Sequence, residues 1–185
     1  MTDRFLVLGV SGSLQATSTN SALLAVAREH APTGVDVRLF DHLAHIAPFS
    51  PEIDPAPEAV GEWRDLVRAA DGLLFATPEY AHGLPGALKN ALDWLVGSGE
   101  LYGKRVVIMS AAPSRERGGY ARADLERTLR AQGAVVIASE TVAVPTSARG
   151  HEADDPSIVA AVTRAVALLA DVSARESRGV GEPAQ

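Results

Sequence analysis

The chain has 185 residues, no cysteine, and a formal charge of -6 from 17 basic and 23 acidic residues. That length suits one domain with a two-sided core, and the lack of cysteine excludes thiolate nucleophiles, redox thiol pairs and thiolate-bound zinc, as expected for a cytoplasmic protein. The acidic balance, spread along the chain, leaves no basic face for nucleic acid, and no apolar run reaches the roughly 20 residues of a membrane span or forms a secretion signal.

Phe5 to Val10 is a continuous apolar run of strand length that ends in Ser11-Gly12-Ser13 and passes into a helical pattern with Leu23, Val26, Ala27 and His30 on one face. Val35, Val37 and Leu39 then alternate with Asp36 and Arg38, which predicts a half-exposed strand. Leu73 to Ala76 and Val106 to Met109 are apolar throughout and predict buried strands, while Val135 to Val144 begins apolar and then alternates around Ser139, Glu140 and Thr141. Helical patterns fall at 59–70, 84–96 and 121–132 and from Pro156 to about Val172. The proline-rich stretch 41–57 reads as a surface loop.

Strands alternating with helices predict an α/β, doubly wound, five-stranded parallel sheet with helices on both faces. The exposed second and fifth strands select the order 2-1-3-4-5, because 3-2-1-4-5 would bury the alternating second strand. Residues 1–172 form the expected domain, and the polar segment 173–185 is expected to be a disordered tail.

Such sheets bind ligands beyond the strand carboxyl ends near the switch point, here between the first and third strands. Three loops leave those ends: 11–19, 78–83 and 112–119. In the first, Ser11, Ser13, Gln15, Ser18, Thr19 and Asn20 place hydroxyl and amide groups before a helix start, where unpaired backbone N–H groups and the helix dipole favour an anion. Ordinary helix capping by Ser18, Thr19 or Asn20 explains the same residues equally well. There is no Gly-Lys-Ser/Thr and no dinucleotide glycine fingerprint.

The second loop and its helix read Pro78-Glu79-Tyr80-Ala81-His82-Gly83-Leu84-Pro85-Gly86, followed by Leu88-Lys89-Asn90 and Asp93-Trp94. Pro78 and Pro85 stiffen the loop, and Gly83 and Gly86 permit close backbone approach. This stretch closely resembles the NADPH-dependent FMN reductase family of flavodoxin-like flavin, quinone and azo reductases. The family pattern is Pro-Glu-Tyr-Asn, then Pro-Gly, Leu-Lys-Asn and Asp-Trp. The first loop is similar to the family's Gly-Ser-Leu-Arg with a following Ser and Asn, matched at Gly12, Ser13, Leu14, Ser18 and Asn20. Gln15 stands in place of the family arginine and Ala81 in place of its asparagine.

The resemblance implies FMN as cofactor and NADPH or NADH as electron donor. It implies an FMN site drawn from Ser11, Ser13, Leu14, Gln15, Ser18, Thr19, Asn20, Pro78 to Gly83, Ser110, Ser114 and Gly118, the last of these from a glycine pair beside the flavin. Loss of the loop arginine implies looser FMN binding. Arg115 and Arg117 are candidates for the nicotinamide nucleotide's phosphates, against simple solvation.

Flavin chemistry requires no catalytic side chain and no metal, and no Ser/His/acid constellation or metal-spaced histidine pair is evident. His82 either touches flavin or substrate or lies in solvent. Glu79 and Tyr80 are either structural or face a second subunit, and neither is assigned a proton-transfer role. The implied partners are a small-molecule electron acceptor and, in a homodimer or homotetramer, a second copy of the chain, with Trp94 either at that interface or in the core. Alternative readings are a flavodoxin-like electron carrier that docks to proteins, and a specialised biosynthetic member with weakened flavin binding.

Overall fold

The structure, a computed structural model, describes residues 4–114 and 117–179. The elements run β1 (Phe5–Ser11), α1 (Thr19–Glu29), β2 (Val35–Phe40), α2 (Glu58–Ala69), β3 (Gly72–Ala76), α3 (Gly86–Asp93), β4 (Arg105–Ala112), α4 (Gly119–Ala131), β5 (Val135–Ala143) and α5 (Pro156–Gly179). All strand pairings are parallel and the sheet order is β2-β1-β3-β4-β5, the flavodoxin-like arrangement expected.

The core follows from the two-residue period of the central strands, which sends neighbouring side chains to opposite faces. Leu8, Val10, Leu73, Phe75, Val106 and Ile108 join α2, α3 and α4 in one apolar cluster. Val7, Leu74, Ala76, Val107 and Met109 pack against α1 and α5 in the other. Both faces are covered, so the inner strands are apolar along their middles, with Ser11 and Ser110 only toward their carboxyl ends. The edge strand β2 alternates buried Val35 and Val37 with exposed Asp36 and Arg38, as its sequence predicts.

Helix ends depart from the sequence reading, each for a physical reason. α3 stops at Asp93 rather than 96, because Leu95 N–H turns to Leu92 C=O in a tighter turn ahead of Gly97 and Gly99. α5 continues in backbone to Gly179, past the expected end near Val172, through the good helix formers Ala174, Arg175 and Glu176. Of the tail expected to be disordered, residues 180–185 lie outside the described residues. No helix among the described residues is long and apolar enough to cross a membrane.

The loop 41–57 is pinned rather than loose. Asn90 donates from Nδ2 to Ala47 C=O at 2.9 Å and accepts Phe49 N–H at 2.7 Å, and Trp94 Nε1 donates to Ala47 C=O at 2.8 Å. Trp94 is only 2% exposed, so of its two readings the core is the one observed. Lys89 and Asp93, four residues apart on one helix face, form an ion pair at 2.6 Å.

Candidate flavin site at the strand carboxyl ends

The first loop folds back on itself. Ser11 and Ser21 hydroxyls meet at 2.8 Å, tying the end of β1 to α1, and Gln15 N–H donates to Ser13 Oγ at 3.2 Å. Ser18 is the N-cap of α1, its hydroxyl accepting Ser21 N–H at 3.4 Å. Asn20 Oδ1 accepts Ala111 N–H of β4 at 2.9 Å, which couples helix to sheet. Capping is thus real for Ser18, but it does not exhaust the donors: the first-turn amides of Thr19 and Asn20 have no intrahelical acceptor by geometry. Gly12 lets this loop lie against β3, since a Cβ there would sit 2.8 Å from Thr77 Oγ1.

The second loop is a tight turn. Tyr80 and Gly83 exchange both backbone hydrogen bonds, at 3.1 and 3.0 Å, around Ala81 and His82 with φ of 49° and 60°. Two consecutive positive φ values are those of a type I′ turn, which favours asparagine and glycine. The positive φ therefore falls on Ala81 and His82 and not on Gly83, whose Cβ position faces Asp124 Oδ2 of α4 at 3.1 Å. The asparagine of the family pattern at position 81 has a conformational reason, and Ala81 adopts the same backbone at greater cost.

Glu79 is committed structurally. Its Oε2 accepts Tyr120 N–H at 2.9 Å and Ala121 N–H at 3.2 Å, capping α4 from another loop. This remote cap explains why α4 starts at Gly119, ahead of the expected 121, although its own N-cap, Gly118, has no side chain. His82 Nδ1 lies 3.6 Å from Glu79 Oε1, and its ring stands edge-on to Tyr120 at 4.7 Å between centroids. Behind Glu79, burial holds the Arg122 guanidinium below its usual pKa, against the opposing pull of Glu140, Glu126 and Glu79. Its Nη1 donates to Ser139 Oγ at 3.1 Å.

In the third loop Gly118 has φ of 81°, and a Cβ there would lie 2.5 Å from Ser110 Oγ. Only glycine fits. Ser110 is buried, its hydroxyl 3.3 Å from Thr141 Oγ1, and it lines the cleft beside Gly118. Arg117 is exposed beside the cleft, and Arg115 lies outside the described residues.

Two clefts result. One, of about 830 Å³, is lined by Ser13, Gln15, Ser18, Thr19, Asn20, Pro78 and Tyr80 together with Arg149 and Glu152. The other, of about 880 Å³, is lined by Pro78, Glu79, His82, Gly118 and Tyr120 among others. Pro78 and Ala111 belong to both, so the clefts are contiguous. Ser11 and Leu14 line a smaller cavity of about 240 Å³ toward the end of β2. Ala81, Gly83 and Ser114 line none of the three.

The donor chemistry fits a flavin mononucleotide: hydroxyls and helix-terminal amides at one end for a phosphate, and Pro78, Pro113 and Tyr120 at the other for an aromatic ring. Arg149, Glu152 and Tyr120 went unnoticed in the sequence. For Arg149 and Glu152 the sequence carries a partial signal, because the segment after β5 also leaves a strand carboxyl end and so borders the same edge of the sheet; Tyr120 stands in the first turn of α4, after β4.

The family model for NADPH-dependent FMN reductases matches residues 5–149. An NAD(P)H-dependent FMN reductase of Pseudomonas aeruginosa is 40% identical over 133 residues, which are 70% of this chain and 71% of that protein. A quinone reductase of Escherichia coli strain K12 is 31% identical over 117 residues, 60% of this chain and 62% of that protein. Among solved structures, the flavoenzyme NAD(P)H:(acceptor) oxidoreductase FerB from Paracoccus denitrificans superposes with a TM-score of 0.77 at 25% identity, covering 90% of this chain and 97% of that one.

Proposed function

The chain belongs to the NADPH-dependent FMN reductase family, and from that premise we propose that it moves hydride from NADPH or NADH through FMN to a small oxidised acceptor such as a flavin or quinone. The observation that carries this reading is the continuity of the two clefts through Pro78 and Ala111, which lets one elongated ligand lie along the sheet edge. Bound FMN supplies the hydride-accepting and hydride-donating centre, and the protein's task is to bind, orient and shield.

Ser13, Ser18, Thr19 and Asn20 hold the phosphate, using hydroxyls and the backbone amides at the start of α1. Pro78 and Glu79 would line the ring's cleft, and Tyr80 the adjoining phosphate cleft, with Ala81 and His82 turning the chain between Tyr80 and Gly83. Glu79 remains engaged with the α4 amides and transfers no proton. His82 and Tyr120 stand at the mouth, where an acceptor ring would stack or meet their edges. The match to reductases over residues 5–149 supports this reading above that of a protein-docking electron carrier.

NAD(P)H as donor suits a cytoplasmic enzyme. Tyr80 and Tyr120, 54% and 64% exposed beside the clefts, suit a homodimer or homotetramer in which a neighbour completes the wall. The test is NADPH and NADH oxidation with and without FMN, in the presence of a quinone. Turnover that requires both protein and FMN is expected; oxidation no faster than with free FMN alone contradicts the proposal.

A further inference from the structure

We propose that Arg149 is the phosphate-binding cation of this chain, replacing from the opposite wall the arginine that its first loop lacks. The inference rests on the FMN reading of the site given above. In the first loop Gln15 is neutral and exposed, and its side-chain amide is turned to Thr17 Oγ1 at 3.3 Å. A dianionic phosphate there meets hydroxyls and a helix dipole but no formal positive charge.

Arg149 lines the same cleft as Ser13 and Ser18 and is the one cationic side chain among the described residues that line it. Its side chain makes no ion pair or hydrogen bond among the described residues, so no local carboxylate holds it elsewhere. The backbone that carries it is fixed on both sides. Ala148 is buried before it, Arg149 N–H donates to Thr146 C=O at 3.4 Å, and Glu152 is buried after it. A guanidinium on an anchored stem can present paired donors to phosphate oxygens.

Glu152, 6% exposed and lining the same cleft, opposes the ligand's charge. The cleft therefore holds one cation and one anion, and removing either should change phosphate recognition in opposite directions. Glutamine at position 15 need not mean that the flavin's phosphate goes uncompensated; the compensation comes from the loop after β5.

The experiment compares dissociation constants for FMN and riboflavin, which lacks the phosphate, by quenching of flavin fluorescence. Four proteins are measured: the parent, Arg149→Ala, Glu152→Gln and Gln15→Arg/Arg149→Ala. Arg149→Ala should weaken FMN about tenfold to a hundredfold and leave riboflavin unchanged. Glu152→Gln should tighten FMN by several-fold, and restoring the loop arginine should rescue Arg149→Ala. Circular dichroism of each variant checks the fold, which an exposed Arg149 should not disturb. An FMN-to-riboflavin preference unchanged in Arg149→Ala overturns the inference and leaves the FMN site standing. Failure of the parent to bind FMN overturns both.

Discussion

The two clefts are built by different means. The wall formed by residues 13–19 is local: serine, glutamine and threonine groups bond to one another within a few residues, and Ser18 caps the helix that follows it, with Asn20 alone reaching across to Ala111 of β4. The wall formed by Pro78 to Tyr120 is tertiary. A carboxylate from the β3 loop caps α4, two non-glycine residues adopt positive φ, and Gly118 packs on the buried Ser110. Local walls tolerate change one residue at a time, whereas tertiary walls couple the ligand surface to the stability of the whole domain.

The largest expected effect follows from Gly118. Gly118→Ala places a methyl against Ser110 Oγ on a left-handed backbone and should cost about 2–4 kcal/mol in urea unfolding. Adding Ser110→Ala removes the nearest atom and should return part of that loss. A cost within about 0.5 kcal/mol, typical of surface substitutions, would break the contrast between the clefts.

Glu79→Ala should come next, at about 1–2 kcal/mol, through loss of the cap on Tyr120 and Ala121 amides. Glu79→Gln should lose less, because its carbonyl still accepts. An unfolding midpoint equal to the parent's for both would show that α4 needs no remote cap.

Ala81→Asn should act in the other direction, stabilising by about 0.5–1 kcal/mol because asparagine adopts positive φ more readily. Destabilisation would contradict the turn geometry.

The smallest effect concerns the far wall of the local cleft, whose following helix α5 is capped by Asp155. Its carboxylate accepts from Ser157 Oγ at 2.7 Å and Ser157 N–H at 2.9 Å, and these bonds hold its pKa below the ordinary carboxylate value. A depressed folded pKa means that the stabilisation is present above the unfolded pKa of roughly 4 and is lost as pH falls through the folded value. Acid titration of stability should therefore differ slightly between the parent and Asp155→Asn below about pH 4 and be parallel above it. Superimposable slopes throughout would remove Asp155 from the account.

The same contrast governs what was legible from sequence. Strands β1, β3 and β4 are apolar runs buried on both faces, and their order could be read because β2 alternates. The first loop is legible as a donor-rich helix start because its bonds, that of Asn20 to Ala111 apart, span few residues. Glu79 was visible as part of a motif, but its partner lies 41 residues away at Tyr120, beyond any periodicity. Gly83 is the residue of this loop that its sequence marks for close backbone approach, yet Ala81 and His82 carry the positive φ, since the pairing of Tyr80 with Gly83 fixes which residues are central. Arg149 belongs to a turn without a pattern and acquires meaning only when β5 brings it to the sheet edge.

The central claim is that both clefts together hold one FMN, and the most direct measurement is the thermal midpoint of the purified protein as FMN is added. The account predicts a midpoint that climbs with FMN concentration, equivalent to about 2.7 kcal/mol at a hundredfold excess over the dissociation constant, with bound flavin retained through gel filtration. A midpoint that stays constant at saturating FMN, with a colourless protein after filtration, would contradict it.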